Sequence, residues 1–123
     1  QDVPEVKQQE AEAYLKAMLA AQENFYRQHG RFARSLEELE RSTNLISQSY
    51  SYAYRLQVGT DSVITAVSRE TDLKSYVGSV IVTPSGTLSA LCQSLKPSVQ
   101  APAKPKLAKT SQKLVCPARS QKL

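Results

Sequence analysis

The first quarter of the chain has the hydrophobic pattern of one long helix. From Glu5 to His29 apolar residues return every three or four positions, and neither Gly nor Pro interrupts the run. Pro4 suits the first turn of a helix, and Gly30 suits the left-handed position that often follows the last turn. We therefore predict a helix over about 5–29. Its buried face is predicted to comprise Val6, Ala13, Tyr14, Ala17, Met18, Ala21 and Phe25.

A short second helix is predicted to follow the first. Ser35 stands three residues before Glu38, which is the capping-box spacing, in which each side chain satisfies the backbone N–H of the other residue. This spacing predicts one or two helical turns over about 36–41, with Leu36 and Leu39 facing inward.

The pattern changes from helical spacing to strict alternation at Tyr50. Alternating apolar and polar residues are typical of a half-buried strand, and β-branched runs follow this one. The turn sequences GTD, RETD and PSG separate four such runs. The predicted strands cover about 50–58, 62–68, 75–83 and 87–92.

Short connections between consecutive strands favour an antiparallel meander. A sheet with one apolar face needs a cover, and the long helix is the only predicted element large enough to supply it. The expected fold class is therefore α+β, with one long N-terminal helix packed on a four-stranded antiparallel sheet within residues 1–92. A chain of 123 residues suits one such domain with a modest core.

Charge is distributed unevenly along the chain. The net charge is +5, but residues 1–92 hold nine basic and eleven acidic residues, whereas residues 93–123 hold seven basic residues, four prolines and no acidic residue. The composition of 93–123 is typical of a disordered segment, and a polyanion partner is expected to meet this segment rather than the body. The possible polyanion-binding residues are Lys96, Lys104, Lys106, Lys109, Lys113, Arg119 and Lys122.

The only two cysteines, Cys92 and Cys116, flank this basic segment. They permit one intramolecular pairing, and such a pair is more typical of an extracytoplasmic staple than of a metal site, which needs further Cys or His ligands. Because His29 is the lone histidine, the sequence predicts no metal site, and it predicts no cofactor. From the residues alone, a second possibility stays open, in which Cys92 and Cys116 are two free thiols in a flexible tail.

Two further patterns have a structural and a functional interpretation. Alternation of Tyr50, Tyr52 and Tyr54 can present rings for base stacking, but no basic residues interleave on that face, which favours packing against the helix. Ser35 is explained as a helix cap, and His29 as a cation at a helix C-terminus. Since no nucleophile elbow, metal cluster or phosphate loop is found, the sequence does not predict an enzyme.

Several segments, in this order, resemble the type IV pilin family, and most of all its cyanobacterial branch. In such pilins a helix with an aromatic pair ends at a glycine, and an Arg-Phe pair and a Ser-Leu-acidic-acidic-Leu turn lead into the sheet. Here these are Phe25 with Tyr26, Gly30, Arg31 with Phe32, and Ser35 to Leu39. The matching segments are "EAEAYLKAMLAAQENFYRQHGRFARSLEEL" at 10–39, "YSYAYRL" at 50–56, "LKSYVGSVIV" at 73–82 and "ALC" at 90–92.

The resemblance implies a non-catalytic pilin or minor pilin of a type IV pilus on the bacterial surface. It implies other pilin subunits and the assembly machinery as partners, and a role in filament assembly and, through it, in motility, adhesion or DNA uptake. Family members also have an apolar N-terminal helix half that anchors the precursor in the inner membrane, with the headpiece in the periplasm. Gln1 to Gln9 is polar and no run of eighteen apolar residues occurs, so we expect this chain to be the soluble headpiece without that half.

The resemblance also implies a Cys92–Cys116 disulfide, because pilins close a variable C-terminal segment, the D-region, in this way. Residues 93–123 would then be a basic D-region loop and C-terminus, with about seven free residues after Cys116. The charge of the loop has a structural interpretation, in which it forms a solvated surface or complements an acidic patch on the next subunit.

One alternative function is a DNA- or surface-binding module acting through residues 93–122. A second is a pseudopilin of a type II secretion system, although that class often carries a calcium site and 93–123 offers no carboxylate for one.

Overall fold

The computed structural model describes residues 3–47 and 50–123, and within them the long helix, the short helix and the strands follow each other in the predicted order. The helices are α1 (Pro4–His29) and α2 (Leu36–Glu40). The strands are β1 (Tyr52–Val58), β2 (Ser62–Ser68), β3 (Tyr76–Thr83), β4 (Gly86–Ser94), β5 (Lys106–Leu107), β6 (Leu114–Val115) and β7 (Ser120–Lys122).

Over the described ranges, five strands form one antiparallel sheet in the order β1-β2-β3-β4-β7, and β5 pairs with β6 in a separate hairpin. The first four strands are the predicted meander. The prediction of a four-stranded sheet with a free C-terminus is wrong by one strand, because Ser120–Lys122 pairs with the end of β4, Lys122 lying opposite Cys92. Three polar residues carry no periodic signal, so only the hydrogen-bonding edge of β4 defines this strand.

Helix α1 lies across one face of the sheet and ends as its sequence predicts. Gly30 has a φ of 69°, and its N–H donates to the Tyr26 carbonyl at 2.8 Å, which closes the last turn. The buried residues of α1 are Ala11, Tyr14, Leu15, Met18, Leu19, Ala21 and Gln22.

The predicted buried face of α1 is wrong at two positions. Val6 is 40% exposed and Ala13 is exposed, whereas Leu15 and Leu19 face the core. Alanines and other apolar residues occur on several sides of this helix, so the spacing alone does not choose between neighbouring stripes. Contact with the sheet makes that choice.

Gly78, in the middle of β3, lets α1 approach the sheet closely. A Cβ added at this position would lie 2.8 Å from Cδ1 and 3.0 Å from Cδ2 of Leu19, which is inside van der Waals contact. The glycine therefore provides the space that Leu19 fills.

Gln22 ties three elements together from a fully buried position. Its Oε1 accepts the Ala33 N–H at 2.8 Å, and its Nε2 donates to the Ala33 carbonyl at 3.0 Å and to the Ser62 Oγ at 2.9 Å. Because the amide has hydrogen-bond partners on both sides, its burial does not leave a polar group unsatisfied. The bonds join α1 to the α1–α2 connection and to the start of β2.

The face of the sheet opposite α1, called here the outer face, is covered by the C-terminal segment. Leu114 of β6 is buried against Ile81 of β3 and Ala90 of β4, with Leu88 beside them. The molecule therefore has three layers, which are α1, the sheet and the part of the C-terminal segment that connects β4 to β7. Without the third layer these apolar residues of β3 and β4 would face water.

Candidate functional site

The C-terminal segment is closed by a Cys92–Cys116 disulfide, as the resemblance implies. Cys92 is buried on β4, Cys116 follows β6, and their Cα atoms lie 5.8 Å apart. Closing a loop with this sequence separation of 24 disfavours the unfolded chain by about 3–4 kcal/mol. The bridge holds the far end of the segment against the sheet.

The segment between the cysteines is packed along the outer face rather than extended into solvent. Near its start the Ser98 N–H donates to the Leu73 carbonyl at 2.9 Å, and the Ser75 Oγ donates to the Ser98 carbonyl at 2.6 Å. Pro105 and Leu114 are buried further along. Although the composition is typical of disorder, contacts with the sheet order this segment.

Residues 106–115 form a hairpin, called here the basic hairpin. Lys106 pairs with Val115, and paired residues of a β-ladder lie on the same face. Since the neighbouring Leu114 is buried against the sheet, Lys106 lies on the opposite, solvent-facing side.

The pairing continues towards the tip of the basic hairpin. The Ala108 N–H donates to the Lys113 carbonyl at 2.8 Å. Lys113 is two residues from Val115, in the direction of the tip, and alternate residues of a strand share a face, so Lys113 lies on the same solvent-facing side as Lys106. Lys109 lies in the connecting turn, and Lys106, Lys109 and Lys113 are all exposed. The structure therefore brings three of the predicted cations together.

Two other predicted cations have protein partners. The Lys104 Nζ lies 3.6 Å from the Asp61 Oδ2 in the β1–β2 turn, and the Lys122 Nζ donates to the Leu114 carbonyl at 3.3 Å. The ion pair is exposed to solvent and holds its partners only weakly.

The remaining two, Lys96 and Arg119, line one groove at the end of β4, called here the Lys96–Arg119 groove. It has a volume of about 610 Å³. Its lining residues are Ser94, Leu95, Lys96, Pro97, Ser98, Gln100, Ala101, Pro102, Ala103, Ala118 and Arg119. No acidic residue lines it.

Arg119 has an unusual backbone conformation, with a φ of 71°. It is the third residue of a turn in which the Ser120 N–H donates to the Pro117 carbonyl at 3.2 Å. This turn position favours Gly or Asn, and another residue there costs about 1–2 kcal/mol. No local sequence pattern predicts this strain, because it arises from the path of the chain into β7.

A second concave surface lies on the helix side, between α1 and the α2–β1 connection. Leu45 is 41% and Ile46 is 66% exposed there. The Tyr14 OH donates to the Glu40 Oε2 at 2.5 Å, and the same oxygen accepts the Ser47 N–H at 3.1 Å, so the connection is held against α1. Leu45 and Ile46 lie outside every predicted helix and strand, so no hydrophobic pattern marks this apolar pair in the sequence.

Tyr50, Tyr52 and Tyr54 do not form an exposed stacking row. Tyr50 is 92% exposed, Tyr52 is buried, and Tyr54 is half-buried with its ring centroid 4.4 Å from that of Tyr14. Burial is the main cause that raises the pKa of Tyr54, and the negative charge of the Glu10 carboxylate adds to it. Together they raise this pKa to about 12. Tyr52 and Tyr54 therefore pack in and against the hydrophobic core. This is the interpretation favoured in the sequence by the absence of basic residues on the same face.

Tyr76 of β3 occupies a similar position near α1. Its OH donates to the Glu12 Oε2 at 2.8 Å and accepts from the Gln93 Nε2 at 2.9 Å. Burial raises the pKa of Tyr76 most strongly; the Gln93 bond opposes this rise and the Glu12 bond adds to it. The phenol is neutral and serves as a hydrogen-bonding bridge between helix and sheet.

A long N-terminal helix on an antiparallel sheet, with a disulfide that closes the C-terminal segment, is a type IV pilin-like fold. The sequence profile of the type IV pilin-like G and H family matches residues 8–117, a range that includes both cysteines, and the chain belongs to this family. Its role is therefore the structural role of a type IV pilin.

Among curated proteins and among solved structures, no match to the chain is found. Within residues 3–47 and 50–123, neither helix is long and apolar enough to cross a membrane.

Proposed function

We propose that this chain is a pilin or minor pilin that assembles into a type IV pilus at the bacterial surface. The family match over 8–117 carries the proposal. Other pilin subunits and the pilus assembly machinery are the partners, and the precursor is held in the inner membrane with its headpiece in the periplasm. The disulfide suits that oxidising compartment. Motility, adhesion or DNA uptake would act through the filament.

The helix side of the headpiece offers a surface for neighbouring subunits. Ala13, Lys16 and Ala20 are exposed along α1, so this side of the helix is not covered by the rest of the chain. Leu45 and Ile46 add apolar area beside it. Small side chains let another element approach closely, and exposed apolar residues gain free energy when a subunit covers them.

Purified surface filaments test the proposal directly. The protein is expected in sheared pili, and Leu45→Asp with Ile46→Asp is expected to reduce its incorporation while the thermal midpoint of the folded chain stays unchanged. Val115→Asp, at a 50% exposed site on the opposite side of the molecule, is the matched control. Absence of the wild-type protein from pili would contradict the proposal, and loss of protein secretion with intact pili after gene deletion would favour the pseudopilin alternative.

The basic hairpin supports a second candidate function, which is contact with DNA. Three exposed lysines on one hairpin can hold phosphates without reading sequence. Binding through about three phosphates should weaken about 40-fold between roughly 50 and 200 mM salt.

A gel shift with random duplex DNA tests this candidate. Replacement of Lys106, Lys109 and Lys113 by Ala is expected to abolish the shift. The control replaces Lys16, Arg34 and Arg41 by Ala, which removes the same charge from exposed positions in and beside the helices. No shift at low salt, or equal loss in both variants, would rule out a DNA site on the hairpin.

A further inference from the structure

We propose that the Lys96–Arg119 groove binds a carboxylate-bearing sugar, such as a uronate unit of an acidic polysaccharide. This site is separate from the basic hairpin and does not depend on filament assembly. The observations that carry it are the charge of the groove, its walls, its anchoring to the sheet and the backbone of Arg119.

The groove is cationic and its charges are not used within the protein. Lys96 and Arg119 are exposed, and neither side chain has an ion pair or hydrogen bond to another group in the described part of the chain. No acidic residue lines the groove. A guanidinium binds a carboxylate through two parallel hydrogen bonds, and the ammonium of Lys96 adds a second positive charge to the same groove, so the groove suits a carboxylate.

The walls of the groove favour a sugar over a nucleobase. Leu95, Pro97 and Pro102 supply aliphatic surface that can pack on the C–H face of a sugar ring. No aromatic ring lines the groove, whereas single-stranded nucleic acids are held by aromatic stacking. A volume of about 610 Å³ lies within the usual range of small-ligand sites.

Backbone hydrogen bonds hold both walls of the groove in place. The Leu95 N–H donates to the Arg119 carbonyl at 3.0 Å, which ties the two sides of the groove to each other. The Ser98 N–H donates to the Leu73 carbonyl at 2.9 Å, which fixes the loop that carries the prolines. A site formed before the ligand arrives loses less entropy on binding.

The backbone of Arg119 gives an independent reason to assign a role to its side chain. Its φ of 71° belongs to the left-handed region, where Gly or Asn is more stable than Arg. Residues in such strained conformations cluster at functional sites, where the surrounding structure holds them in place. Glycine at 119 would relieve the strain and remove the guanidinium, so stability and binding should change in opposite directions.

Isothermal titration of this 123-residue chain with a short oligogalacturonate tests the proposal. The neutral galacto-oligosaccharide of the same length is the reference ligand. The acidic oligomer is expected to bind and the neutral one not. Arg119→Gly and Lys96→Ala should each weaken binding about tenfold or more, because each removes a charge-assisted contact. Lys109→Ala removes the same charge from the basic hairpin and should change affinity less than about twofold.

The thermal midpoint separates a binding role of Arg119 from a structural one. Arg119→Gly is expected to keep or raise the midpoint, and Lys96→Ala supplies a second test that does not alter the turn. Absence of binding, equal binding of the neutral oligomer, or equal loss in Lys109→Ala would overturn the proposal. So would a lowered midpoint in Arg119→Gly, or random duplex DNA that displaces the acidic oligomer from the groove. The Arg119→Gly variant should be incorporated into pili normally. Failure of the sugar-binding proposal can therefore be distinguished from failure of the filament proposal.

Discussion

Gln121 of the last strand donates from Nε2 to the Oε1 of Gln93 at 2.8 Å. Gln93 in turn donates to Tyr76, and Tyr76 donates to the carboxylate of Glu12 on α1. A chain of polar contacts therefore joins the C-terminal strand to the N-terminal helix through two strands of the sheet. Tyr76 and Gln93, in the middle of this network, are buried, and a buried polar group is costly to leave without a hydrogen-bond partner.

Loss of Gln121 should weaken this chain at its last contact. Gln121→Ala is expected to lower the free energy of unfolding by about 1 kcal/mol, because the Gln93 Oε1 loses its donor. Urea denaturation followed by circular dichroism measures the change. Gln28→Ala, at an exposed position near the end of α1, should have little effect, and an equal effect of both variants would contradict the role given to Gln121.

Reduction of the Cys92–Cys116 disulfide should destabilise the folded chain. The unfolded chain regains the freedom of the closed loop, so the free energy of unfolding should fall by about 3–4 kcal/mol. Urea midpoints with and without reductant give this difference. Equal midpoints would show that packing on the outer face alone is enough to hold the segment.

Gly78→Ala should force α1 away from the sheet. The added methyl group would lie 2.8 Å from the Leu19 Cδ1, and such overpacking costs about 1–3 kcal/mol. Gly59→Ala is the matched control, because a Cβ there has no atom within 4 Å. In the double variant, Leu19→Ala should recover part of the loss from Gly78→Ala, and strictly additive losses would argue against this contact.

Protonation of Glu70 should lower the stability of the folded chain in acid. Hydrogen bonds from Ser51 and then from Lys7, whose Nζ lies 2.9 Å from the Glu70 Oε1, lower the pKa of this carboxyl. The folded state therefore holds the proton less tightly than the unfolded state. The stability contributed by Glu70 is present above the ordinary glutamate pKa and is lost as the pH falls through the lowered value.

Carboxyl titration by NMR measures this shift. Ser51→Ala and Lys7→Ala should each move the Glu70 midpoint upward, and Glu70→Gln should make stability less dependent on pH in the acid range. A midpoint at the ordinary value in the unmodified protein would contradict the assignment.

Much of the helix side was predictable from local pattern. Spacing placed α1 and ended it at Gly30, and alternation and turns placed the meander, because these signals depend on residues close together in the chain. The stripe of α1 that is buried was not predictable, since Leu15 and Val6 are both apolar and only contact with the sheet distinguishes them.

Less of the candidate sites was predictable. Charge and composition identified all seven cations of 93–123 but treated them as one group. The structure assigns three to the basic hairpin, two to the Lys96–Arg119 groove, and gives Lys104 and Lys122 protein partners. Pairing across β5 and β6 and the turn before β7 decide this division, and neither has a local sequence signal.

The sequence by itself determined that this chain has a long amphipathic helix, a meander and a basic segment between two cysteines, because periodicity, turn residues and charge are properties of short stretches. Tertiary structure alone decided that the basic segment is the third layer of the fold. Leu114 becomes buried only where Ile81 and Ala90 meet it, and Ser120–Lys122 becomes a strand only beside β4. The free energy that stabilises this third layer and the last strand comes from contacts between residues far apart in the chain. A pattern of neighbouring residues therefore does not predict them.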